Sequence, residues 1–183
     1  MKNIFLSVVA LVAMAFTTQT YAQKNPMVGG AAMYASKDIV DNAVNSKDHT
    51  TLVAAVKAAG LVETLKGKGS FTVFAPTNMA FDKLPKGTVE SLLEPANKPM
   101  LTKVLTYHVV AGKMDSKAIA KAIKMGKGKA ELNTVSGGKL WAWMEGGKLM
   151  LKDEKGGMAS VTIADVMQKN GVIHVIDTVL MPE

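Results

Sequence analysis

The sequence predicts an α+β domain, and three observations predict it. Apolar residues recur at helical spacing through most of the segment from Ser36 to Gly126. Short apolar runs separated by turn residues fill the segment from Leu132 to the C-terminus. Helices mostly first and antiparallel strands after them argue against a doubly wound sheet. The third observation is compositional: 48% hydrophobic and 20% charged residues in a chain of 183 suit one packed domain, not a disordered one.

The chain opens on an address. Lys2 gives a positive start, Ile4 to Phe16 is an apolar run, and Thr20-Tyr21-Ala22 is similar to a small-residue cleavage site. The run is shorter than the roughly 20 residues of a membrane span. Residues 1–22 are therefore expected to be a signal peptide, cleaved after Ala22. Residues 23–35 show no period and are expected to be a flexible N-terminal arm, with the folded domain over 36–183. No later stretch is apolar enough to span a membrane, so the mature protein is expected to be exported without a transmembrane anchor, either periplasmic or released.

Within the domain, Ile39, Val40, Ala43 and Val44 fall on one helical face, with Ser36 or Asp38 available as cap. Leu52, Val53 and Val56 repeat the pattern up to Gly60, a stop signal. Leu61, Val62 and Leu65 make a short third helix ended by Gly67. Phe71 to Ala75 is an aromatic and β-branched run, hence a buried strand, and Pro76 breaks it. Thr77 can cap a helix carrying Met79, Ala80, Phe81 and Leu84, and Thr88 can cap the next, with Val89, Leu92 and Leu93. Leu101, Val104, Leu105 and His108 share a helical stripe that gives way to a strand-like Tyr107 to Val110. Ser116 begins another helix through Ile119 and Ile123, stopped at Gly126. Lys139 to Met144 and Lys148 to Lys152 flank Glu145-Gly146-Gly147, a hairpin turn. Val161 to Ile163 and Val172 to Ile176 are the last strands, with a turn of helix expected around Asp165 to Gln168.

Several chemistries are excluded or left without a motif. There is no cysteine, so there is no disulfide, zinc ribbon, iron–sulfur cluster or thiol nucleophile. All 22 basic residues are lysine, which removes any guanidinium clamp. Gly67-Lys68-Gly69 lacks the spacing and the Ser or Thr of a phosphate loop. His49, His108 and His174 have no helical partner for a metal, and no Gly-x-Ser-x-Gly elbow occurs. Asp153-Glu154 reads as solvated, and the methionines as gap-filling core. No catalytic, cofactor-binding or metal-ligating residue is assigned, and no cofactor is expected.

Three segments carry a family signature: Thr72-Val73-Phe74-Ala75-Pro76-Thr77-Asn78-Met79-Ala80-Phe81, then Tyr107-His108-Val109-Val110, then Asn170-Gly171-Val172-Ile173-His174-Val175-Ile176-Asp177. In this order the chain closely resembles a fasciclin domain from about Ser36 to Pro182, and is similar to the small single-domain secreted form found in bacteria. The resemblance implies a compact α+β wedge of two β-sheets with a helical layer. It also implies a non-enzymatic adhesion module that binds cell-surface or matrix protein, or polysaccharide. Some animal relatives engage integrins through the Tyr-His segment and an Asp-Ile pair near the last strand. Tyr107 and His108 match the first; Asp165-Val166 stands where the second would be, and departs from it by one methylene. Phe71, Val73 and Phe81 have an architectural reading beside this one, as core, as do His108 and His174, as partners of neighbouring polar groups.

Two features go beyond the resemblance. Lys117, Lys121 and Lys124 are spaced i, i+4, i+7 on one helix face opposite Ile119 and Ile123, extended by Lys127 and Lys129. Such a face attracts polyanions such as acidic polysaccharide or anionic lipid headgroups, and its effect fades with salt. Nucleic acid is disfavoured by export and by the absence of Arg. Trp141 and Trp143 share one face of a strand, with Leu140, Ala142 and Met144 on the other. If the leucine face is inside, the indoles form a platform for sugar rings; the expectation is that they are core. The function expected is an exported binding module acting at the cell surface or in a matrix. The alternatives are a carrier of a small apolar ligand, which requires an enclosed methionine-lined cavity, or a matrix-glycan hydrolase, which requires convergent carboxylates or a Ser-His pair in one cleft.

Overall fold

The computed structural model describes residues 25–183, so the expected signal peptide lies outside the described residues. The segment expected as a flexible arm is instead a hairpin, β1 (Met27–Val28) and β2 (Ala31–Ala32). Val28 and Met33 are buried in the core, which fixes this segment to the domain. Six short apolar or small side chains without a repeat gave no period to read; the turn at Gly29 and Gly30, both at positive φ, was its one local signal.

Helices α1 (Ile39–Ala43), α2 (Thr50–Ala59) and α3 (Val62–Lys66) follow. Asp38 caps α1 by accepting from the Asp41 amide at 2.8 Å, and Gly60 ends α2 in the left-handed region. Strand β3 (Phe71–Pro76) runs into α4 (Asn78–Asp82), capped by Thr77. Next come α5 (Thr88–Leu93), α6 (Lys98–Tyr107), β4 (Val109–Ala111) and α7 (Ser116–Met125). The residue before α5 is Gly87, so that cap sits one position earlier than expected; α7 begins at Ser116 as expected, capped by Asp115, which accepts from the Ala118 amide at 2.8 Å. Strands β5 (Ala130–Asn133), β6 (Lys139–Glu145), β7 (Lys148–Lys152), β8 (Met158–Gln168) and β9 (Gly171–Ile176) complete the chain. The expected turn of helix at Asp165–Gln168 is the end of β8. A bulge there offsets the alternation of side chains, which is why a strand reads as something else.

The fold is α+β. Seven strands join in the order β4-β3-β9-β8-β7-β6-β5, with β3 and β9 parallel and every other neighbour antiparallel. The two halves meet in the long β8: residues 158–160 pair with β7, and residues 161–168 pair with β9 across two register shifts. A bridge between Val110 and Thr134 draws β4 and β5 together, so the sheet nearly closes. The signature Asn170-Gly171 has a different use from a positive-φ turn. Asn170 accepts from the Ile39 amide and donates to the Leu65 carbonyl, tying α1 and α3 to the last hairpin. A Cβ at Gly171 would stand 2.1 Å from the Phe71 carbonyl oxygen, so the parallel pairing needs glycine.

The inner face of the sheet packs Leu132, Leu140, Ala142, Leu149 and Leu151 against Ile119 and Ile123 of α7. A second core lies where α1 and the β1–β2 hairpin cover Val73, Val109, Ile173 and Val175. Each such fully buried side chain contributes roughly 1.5–3 kcal/mol before entropy is counted. The methionines divide: Met33 is core and Met114 and Met181 pack against it, as expected, whereas Met27, Met79, Met100, Met125, Met144 and Met158 are exposed.

Candidate functional site

Helix α7 carries the most strongly charged face. Ile119 and Ile123 are buried under it, which turns Lys117, Lys121 and Lys124 outward together. Among the described residues none of the three lies within ion-pair distance of a carboxylate, whereas Lys66, Lys83 and Lys139 each do. Lys124 favours the negative end of the helix, but Lys117 sits in the first turn, where the helix dipole disfavours a cation. Helix stability therefore does not account for it. Lys127, exposed at φ 55, continues the face. Lys129 does not: its Nζ lies 5.1 Å from the Trp141 ring centroid, around the edge of the sheet.

Asp165 holds this helix in place. It sits in the β8 bulge at φ 60, a left-handed backbone that costs on the order of 1–2 kcal/mol for a residue with a Cβ. Its carboxylate accepts from the Ser116 amide at 2.6 Å and from the Ser116 hydroxyl, at the first turn of α7. Asp165 is thus a positioning residue for the lysine face. Val166, its expected companion in contact, is 1% exposed and belongs to the second core.

Tyr107 and His108 are 0% and 3% exposed, and burial takes both off the surface on which a partner would be met. The Tyr107 hydroxyl donates to the Lys139 carbonyl at 2.6 Å and accepts from the Glu154 amide at 3.1 Å, and burial pushes its pKa up to about 12. His108 accepts from the Leu180 amide at Nε2 and faces the Val104 carbonyl at Nδ1, which assigns the proton to Nδ1. Burial pushes its pKa down to about 4. His174 has the other tautomer, donating from Nε2 to the Met114 carbonyl, and burial lowers it too. The architectural reading of the Tyr-His segment is the one these contacts support.

The tryptophans are not core. Leu140 and Ala142 face inward because the register aligns them with Leu132, Ala130 and Leu151; Trp141 and Trp143, half-buried, face out. Asp153 is the reverse case. Expected as solvated, it is 2% exposed, its oxygens accepting from the Gly157 and Met181 amides at 2.6 and 2.9 Å. Neither outcome had a local sequence signal, since strand facing and tail docking are decided by distant pairings.

The features named for the alternatives are sparse. An apolar cleft of about 80 Å³ lies between α1–α3 and the sheet, lined by residues such as Leu52, Val56 and Leu65 and by no methionine. It is smaller than the roughly 150 Å³ that holds a benzene. Ser46 Oγ lies 2.8 Å from His49 Nδ1, but both side chains are buried and no glycan in solution reaches the hydroxyl. Among the described residues no cluster of three His, Asp or Glu is arranged for a metal, and no helix is long and apolar enough to cross a membrane.

A family model described as the fasciclin domain matches residues 47–182. Protein sll1483 of Synechocystis is 46% identical over 160 residues, covering 87% of this chain and 82% of that protein. The cell surface glycolipoprotein MPB83 of Mycobacterium bovis is 36% identical over 168 residues, 88% of this chain and 69% of its own. Among solved structures, a FAS1 domain pair from the insect cell adhesion molecule fasciclin I superposes with a TM-score of 0.70 at 18% identity. It covers 79% of this chain, which spans 51% of that one, and it shows the shared fold.

Proposed function

Because the chain belongs to the fasciclin domain family, we propose that it is an exported, non-enzymatic adhesion module that holds acidic polysaccharide at the cell surface or in a surrounding matrix. One observation carries the reading: three exposed lysines on one face of α7, without carboxylate partners among the described residues, on a helix fixed by two buried isoleucines and by Asp165. The formal charge of +7 favours the same class of partner over long range. Relatives bearing the words cell surface and cell adhesion support the setting. A protein partner remains the other occupant of such a face, and would add apolar contact.

The test is titration of the domain over residues 23–183 with a polyuronate, in a salt series, beside the variant K117Q/K121Q/K124Q. Affinity should fall steeply with salt. The triple variant should bind about tenfold more weakly, since three lost exposed contacts at about 0.5 kcal/mol each sum to about 1.5 kcal/mol. Equal binding by the variant, or binding indifferent to salt, overturns the reading.

A further inference from the structure

The outer face of the sheet carries a second feature that the α7 reading does not use. Trp141 lies on it between Glu131 of β5 and Lys152 of β7, and Trp143 lies beside it opposite Met150. An open cleft of about 370 Å³ adjoins the Trp141 ring, bordered by Lys129, Lys152, Lys155, Asp153 and Glu154. The two acids face inward to the backbone. Asp153 is bound to two amides, as above, and Glu154 accepts from the Lys139 and Glu183 amides at 2.9 and 3.3 Å. Glu131 is occupied by Lys139 at 2.8 Å. Lys129, Lys152 and Lys155 are exposed and have no carboxylate within ion-pair distance among the described residues. Lys129 Nζ stands 5.1 Å over the Trp141 ring, so a stacking ligand displaces that exposed side chain to the border; an indole face with three such ammonium groups around it matches a ligand that is flat and apolar on one side and anionic at its edge.

We propose that this cleft is a binding subsite for a uronic-acid residue of a polysaccharide. The C–H face of the pyranose stacks on Trp141, and the ring carboxylate is met by Lys129, Lys152 or Lys155. A stacked apolar contact and a charge-assisted hydrogen bond select an acidic sugar over a neutral one. The site lies across the sheet from α7, so its occupancy does not depend on Lys117, Lys121 and Lys124.

The chain contains two tryptophans and both are on this face, which makes their fluorescence the direct readout. W143F leaves Trp141 as the sole reporter. Titrated with a defined oligogalacturonate, it should show a saturable change in Trp141 emission, absent with the carboxyl-reduced neutral oligomer. W141A and K129Q/K152Q/K155Q should each weaken binding at least about tenfold; the second variant keeps every buried group and guards against misfolding. K117Q/K121Q/K124Q should keep the fluorescence response even if it loses long-polymer binding. Three outcomes overturn the proposal: emission unmoved by the oligouronate, an equal response to the neutral oligomer, or a response to anionic phospholipid vesicles alone.

Discussion

Replacing Tyr107 by alanine should cost the domain about 4 kcal/mol, the loss measured for large aromatic side chains deleted from cores. The ring is wholly enclosed, and it is packed so closely that a Cβ on Gly138 would stand 2.7 Å from it. Its hydroxyl joins the end of α6 to two separate stretches of the chain through Lys139 and Glu154. Tyr107→Phe removes only those two bonds and should cost about 1 kcal/mol, because a partly buried carbonyl and amide lose their partner. Urea denaturation of both variants gives the comparison. Polyuronate binding by folded Y107F should be unchanged, which separates a structural role from contact. A Y107A domain within 1 kcal/mol of the parent would contradict the architectural reading.

Acidification should destabilise the domain through its buried histidines. His49, His108 and His174 are each lowered, in every case chiefly by burial. A base lowered in the folded state binds fewer protons there than in the unfolded chain. Its stabilisation is complete above the unfolded value of 6.5 and is lost as the pH falls toward the folded value, about 4 for His108. That one shift amounts to about 3 kcal/mol across the window. His49 and His174 add in the same direction. Asp41 and Glu131 are also lowered, chiefly by hydrogen bonds to Lys66 and Lys139. Stability measured by denaturant at pH steps from 7 to 4 should decline throughout. A flat profile over that range would show that the imidazoles are hydrated in the folded protein.

Much of this fold is legible in the sequence because local chemistry and global packing agree there. Thr77 caps where a threonine after proline is expected to, Gly60 closes α2, and Gly146-Gly147 turns β6 into β7 with both residues at positive φ. The face of α7 is legible for the same reason: two isoleucines at i and i+4 fix which way the lysines point. What was not legible depends on partners far along the chain. Asp165 occupies a left-handed bulge that only its bond to Ser116 explains, 49 residues away. Asp153 looks solvated until the tail at Met181 is laid over it. The Trp141 and Trp143 face was undecidable within its own strand, because both sides are apolar. The neighbours Leu132 and Leu151 settle it by cross-strand register. The Tyr-His segment was misleading as a surface because resemblance gives a position in sequence but not its depth.

If α7 is a contact surface for polyuronate, its backbone amides sense the ligand. Amide chemical shifts of the isotopically labelled domain, followed during titration with a polyuronate at low salt, report which backbone groups sense the ligand. The prediction is that the largest changes include Lys117, Lys121 and Lys124, and that they collapse on adding salt. Binding that leaves the α7 amides unmoved, whether the changes fall at the Trp141 cleft or at the apolar cleft between α1, α2, α3 and the sheet, would contradict it.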